Sequence, residues 1–140
     1  MSALARTENV AFDALPDPSP TVRPLVSFLR VLALACRSSA REDLFKACAI
    51  LSHEPNISAH ACGEALVKCL SQALGKRPIF HAITEPELSF DEAWLSQLSE
   101  AIQSGDAQSE HFLLRSRVHK DAQRNVSFLM SRLTQHFYLI

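Results

Sequence analysis

Glycine is scarce in this chain, with three residues in 140. That shortage leaves no phosphate-cradling loop: there is no Walker motif and no dinucleotide-binding fingerprint. β-Branched residues are sparse beside alanine and leucine, which tilts local preference from strand toward helix. Long apolar runs are missing too. The longest, Pro24–Cys36 (PLVSFLRVLALAC), carries Arg30 and is too short to span a bilayer. The first eighteen residues hold no run suited to a secretory leader, so the expected location is the cytoplasm. None of the four cysteines (Cys36, Cys48, Cys62, Cys69) forms a C-x-x-C pair, which excludes the usual zinc and thioredoxin spacings. In the cytoplasm they are expected to stay reduced. Net charge is nearly absent as well: at −1, the chain as a whole has no pull toward nucleic acid or membrane.

What is present reads as an all-α protein: a compact bundle of five or six helices behind an irregular N-terminal tail. Residues 1–19 form the tail, because DALPDPSP holds three prolines and two aspartates. Val10–Leu15 is a segment able to dock on the core or on a partner. Residues 20–140 are expected to form one helical domain. Its first helix, Thr21 to Arg37, is apolar around most of its circumference and is expected to be the central buried one. The second opens with capping-box spacing at Ser39 and Glu42 and ends before Pro55. The third runs from Ile57 to Leu74, capped by Asn56 or Ser58 and stopped by Gly75 and Pro78. Ile79–Leu88 is a connector with a short extended piece. A capping box at Ser89 and Glu92 starts the fourth helix, and Gly105 ends it. Asp106 is placed to cap the next helix. Ala107 to Phe137 contains no Gly or Pro and reads as one long helix, or as two with a bend near Val118–Asp121.

The stretch Ser52–Cys69 (SHEPNISAHACGEALVKC) concentrates two cysteines and two histidines. At about 100° per residue, His60, Glu64, Lys68, Ser71 and Gln72 share one arc of the third helix, while Cys62, Leu66, Cys69, Leu70 and Ala73 share the other. His60 then faces solvent and the two cysteines face inward, so they do not converge on one ion. Free cysteine is often a small core hydrophobe, and that is the reading taken: no metal and no cofactor. Ile50–Leu66 also has the rhythm of a helix-turn-helix. Its exposed stripe is nearly neutral, however, and Glu64 would face phosphate unfavourably.

Charge is unevenly placed. Pro78–Leu114 carries seven acids and no Lys or Arg, whereas Arg115–Ile140 carries five bases and one acid, Asp121. On the C-terminal helix, Val118, Ala122, Val126, Leu129, Leu133 and Phe137 make an apolar stripe. Arg117, Lys120 and Arg124 then cluster opposite, as a candidate surface for an anion or an acidic partner. The plainer account is a solvated face, with Asp121 pairing Arg117 and Arg124. Phe128 and Leu113 lie off the stripe. With Phe137, Tyr138, Leu139 and Ile140 they want a cover, either the chain's own core or a second subunit.

No catalytic set emerges. There is no G-x-S-x-G and no H-E-x-x-H, and Pro55 breaks the helix that HEPNISAH would need for metalloprotease spacing. His81, His111, His119 and His136 are scattered; His111 shares the inner face with Val118 and is expected in the core, and His119 is expected exposed or at a bend. Glu85 and Glu87, flanking Pro86, form a carboxylate pair on a loop. The expected function is therefore non-enzymatic: a small helical adaptor or regulator that binds protein, self-associates as a homodimer and does not engage membrane. The alternative is a DNA-binding regulator of helix-turn-helix type. That alternative needs Lys68, Lys76, Arg77 and the C-terminal bases to meet in space.

Overall fold

Helices start where a side-chain acceptor or a proline permits it. A computed structural model describes residues 17–38, 40–54 and 56–138, and all regular structure among them is helical. Pro24 opens α1 (Pro24–Ala35) at a position where its missing N–H costs nothing. Asp43 caps α2 (Leu44–Ser52) by accepting from the Lys46 N–H at 3.0 Å. Ser58 caps α3 (Ala59–Leu74) through the Ala61 N–H. The full capping box of Ser89 and Glu92 starts α4 (Phe90–Ser104), and Asp106 caps α5 (Ala107–Arg117). A 3-10 turn, Lys120–Ala122, then leads into α6 (Gln123–Tyr138). Among the described residues no helix is long and apolar enough to cross a membrane.

Three expectations change, and one choice between two is decided. The cap of α2 is Asp43; Ser39 lies outside the described residues, as does Pro55. The connector has no extended strand among the described residues. The central helix is α3 instead of the first: Cys62, Leu66, Cys69, Leu70 and Ala73 are essentially solvent-free and pack between α1, α2 and α6, while Leu34 of α1 is exposed. Of the two readings of 107–137, the one with a bend near Val118–Asp121 is the one found. Val118 takes an extended backbone, and the His119 N–H donates to the Ala73 carbonyl at 3.2 Å, so the break is fastened to the end of α3. Of the tail, residues 1–16, including Val10–Leu15, lie outside the described residues. Ser19 is buried and donates its N–H to the Ile83 carbonyl.

Two glycines serve packing. A Cβ on Gly63 would sit 2.5 Å from Leu32 Cδ1 and 2.8 Å from the Phe28 ring, so its absence lets α1 lie close on α3. Gly75 ends α3 at a φ of 74°, a left-handed conformation that favours glycine. Around α3, the α6 residues Val126, Leu129, Met130 and Leu133 and the α4 residues Trp94, Leu95 and Leu98 complete the core.

A charge pair lies within this apolar packing. Arg30 is 2% exposed and Glu92 0%. Arg30 Nε and Nη2 each donate to a Glu92 carboxylate oxygen at 2.9 Å. Its remaining donors reach main-chain carbonyls of the connector: Glu85 at 2.7 Å, Glu87 at 3.1 Å and Ile83 at 3.5 Å. Glu92 also accepts from the His81 N–H at 2.8 Å and the Ser89 N–H at 3.0 Å. Burial alone would push the Glu92 carboxyl up, but the Arg30 guanidinium and these N–H donors overcome it and hold the group below its ordinary range.

Removing one partner strands a buried charge. Arg30→Met is expected to cost about 3–5 kcal/mol in urea denaturation, and adding Glu92→Gln should recover part of that loss. A folded-state pKa held below the unfolded value contributes stability that is present above the unfolded value and fades as pH falls through the folded one. The denaturation midpoint should therefore drop as pH is lowered below about 4.3, and more shallowly in Glu92→Gln.

Candidate anion-binding cleft

The bend after α5 scatters the expected basic cluster. Arg117 ends α5 with its side chain 10% exposed and turned inward to an ion pair with Asp91. Its guanidinium lies over the Phe90 ring at 4.8 Å and the Trp94 ring at 5.1 Å. Lys120 and Arg124 are exposed on the 3-10 turn and at the start of α6. Asp121 forms no ion pair with Arg117 or Arg124 among the described residues. The three bases therefore do not form one surface. His111, expected in the core, is exposed for the same reason: α5 does not share the phase of α6.

The described part of the apolar surplus, Leu113, Phe128 and Phe137, packs against the chain's own core. Phe128 and Leu113 are partly buried against the core, and the Arg132 guanidinium lies 5.6 Å over the Phe128 ring. Phe137 packs on Phe28, with ring centroids 5.2 Å apart. The Tyr138 side chain, Leu139 and Ile140 lie outside the described residues. Glu85 and Glu87 serve the connector: their carbonyls accept from Arg30, and the Glu87 N–H donates to the Glu85 carboxylate.

The cysteine–histidine stretch divides as its periodicity predicts. His60 is exposed, and Cys62 and Cys69 are buried. Burial pushes the Cys62 thiol up to about 11 and the Cys69 thiol up to about 12, so both stay protonated at neutral pH. Cys48 is also raised by burial, and its Sγ lies 3.7 Å from the Asn125 carbonyl.

Bases do converge elsewhere. A cleft of about 390 Å³ opens between the end of α1, the α1–α2 loop, α3 and the segment that follows α3. Arg37, Arg41, Lys68 and Arg77 line it, and no carboxylate does. Lys68 is already engaged, 3.7 Å from Glu64 and 4.0 Å from Glu42. The guanidinium groups of Arg37, Arg41 and Arg77 have no ion-pair or hydrogen-bond partner among the described residues. Ser71 adds a hydroxyl, Val67 and Phe80 an apolar wall, and Cys36 a partly exposed thiol. That thiol is raised chiefly by burial and then by Glu64. Lys68 and Arg77 belong to the base set that the DNA-binding alternative requires; Arg37 and Arg41 carry no local sign of a site. The stretch CRSSARED holds them both, but its meeting with Arg77 depends on how the helices pack.

Part of the polar face of α3 is engaged within the chain. Gln72 accepts from the Leu44 N–H and donates to Asp43, and Lys68 reaches Glu42, so the loop before α2 occupies much of the polar side of α3. Among the described residues no group of three His, Cys, Asp or Glu side chains is placed to hold a metal ion. Compared with protein families, curated proteins and solved structures, the chain matches none.

Thiol reagents should separate these cysteines. In the folded protein a disulfide reagent is expected to modify about one thiol per chain quickly, Cys36, with the others reacting only on unfolding. Cys36→Ser should abolish the fast phase; a fast phase that survives it would place a different thiol at the surface.

Proposed function

We propose that this chain is a non-enzymatic helical binding module that takes an acidic segment of a partner protein into the Arg37–Arg41–Lys68–Arg77 cleft. The supporting observation is the convergence of three unpaired guanidinium groups on one concavity that no carboxylate lines. Arginine forks suit carboxylate and phosphate recognition, and Arg37, Arg41 and Arg77 are all exposed to an incoming anion. The nucleophile in the cleft, Cys36, has a thiol raised above its ordinary value, which favours binding over covalent chemistry. Four unpaired thiols suit the reducing cytoplasm. Self-association belongs to the proposal through a described surface: Ile79, Leu88 and Phe90 are exposed, the last at 72%, and adjoin one another around Ser89. A native mass at twice the chain that Phe90→Asp reduces to one is the expected result for that contact.

Heparin or poly-glutamate resin tests the cleft. The protein should be retained at low salt and released as salt rises. Reversing Arg37, Arg41 and Arg77 to Glu should abolish retention with unchanged far-UV circular dichroism. Reversing Lys120 and Arg124 should leave retention nearly intact. The opposite pattern would move the interface to α6. Duplex DNA held more tightly than an acidic peptide would favour the nucleic-acid alternative.

A further inference from the structure

Resting on the reading of the cleft as an anion site, we infer that its ligand is a phosphomonoester, presented as a phosphorylated side chain of a partner protein. The free charge of the cleft is almost entirely arginine. Lys68 faces two carboxylates already, which leaves Arg37, Arg41 and Arg77 as the uncompensated groups. They come from two segments distant in sequence: Arg37 and Arg41 from the loop between α1 and α2, and Arg77 from the segment after α3. A carboxylate has two oxygens in one plane and a single charge, so one fork satisfies it and two stay unmatched. A phosphomonoester offers three oxygens pointing in different directions and about −1.5 to −2 charges at neutral pH, a number and spread that several forks can share. The Ser71 hydroxyl supplies a further donor at the same wall.

The cleft also has room for what carries the phosphate. Its volume, about 390 Å³, falls within the range of sites that hold a side chain or a small ligand. Val67 and Phe80 give the stem of a phosphorylated residue an apolar surface to lie on. No carboxylate is among the lining groups; Glu42 and Glu64, whose charges are felt at Cys36, are each within 4.0 Å of Lys68.

The test uses the full chain and a neutral peptide prepared with phosphoserine, phosphotyrosine, serine or glutamate at one central position. Titration by fluorescence anisotropy should show at least one phosphopeptide binding about tenfold or more tightly than the glutamate peptide, because the extra charge and oxygens engage additional forks. Inorganic phosphate should compete with it. Bound phosphopeptide should slow modification of Cys36, a readout specific to this cleft. Replacing Arg37, Arg41 and Arg77 together by Lys preserves the charge and removes the forks. That variant should still be retained on poly-glutamate but lose the preference for phosphate.

Equal affinity for the phosphorylated and glutamate peptides would overturn the phosphate assignment while leaving an acidic-segment module standing. Failure of every peptide, together with flow-through on poly-glutamate, would overturn both. Tighter binding to vesicles containing anionic phospholipid than to any phosphopeptide would assign the cleft to a membrane surface and overturn the protein ligand. Retained phosphate preference in the triple Lys variant would remove the role given to the forks.

Discussion

The buried pair of Arg30 and Glu92 is the constraint on which the rest of the structure depends. Taking both charges out of water is costly, and the cost is tolerable because every oxygen of Glu92 and every donor nitrogen of Arg30 finds a partner. The pair joins α1 to the first turn of α4 and holds the intervening connector between them. It thereby sets the position of the segment that carries Arg77 and Phe80. Ala33 and Arg37 succeed Arg30 at helical spacing and border the same cleft. An interaction with no direct role in binding thus fixes two of the walls between which binding is proposed.

Features encoded within about four residues were legible in the sequence. Ser58, Ser89 and Asp106 cap the helices their spacing assigns to them, Gly75 and Gly105 end helices, and the inward face of α3 obeys its periodicity. The fold class rests on those signals. The stripe on the last helix is legible for the same reason, since Val126, Leu129 and Leu133 share one phase and are buried. Arg117 and His111 are misplaced together by one assumption, that helical phase runs unbroken through residue 118. Nothing local forbids that. The break is enforced by burial of Val118 and Ala122 and by the His119 bond to the end of α3, all of them tertiary.

Features that depend on distant partners were not legible. Arg30 stands out as a charge in an apolar stretch, but its partner lies 62 positions away and already has a local explanation as a capping glutamate. The cleft is harder still. Arg37 and Arg41 sit in a polar loop like many others, and only packing of α1 against α3, permitted by the bare backbone of Gly63, brings that loop beside Arg77.

The manner in which Arg30 holds the connector bears on how this protein can change over generations. It grips carbonyl oxygens of Ile83, Glu85 and Glu87, groups that every amino acid possesses. These three contacts with the loop are thus insensitive to which side chains it carries, although Ile83 is buried, while its length is constrained by the spacing of the three oxygens. Outward positions such as Thr84 and Pro86 are exposed and free to drift. Substitutions there should accumulate readily and insertions hardly at all, giving lineages with a constant scaffold and a variable outer surface.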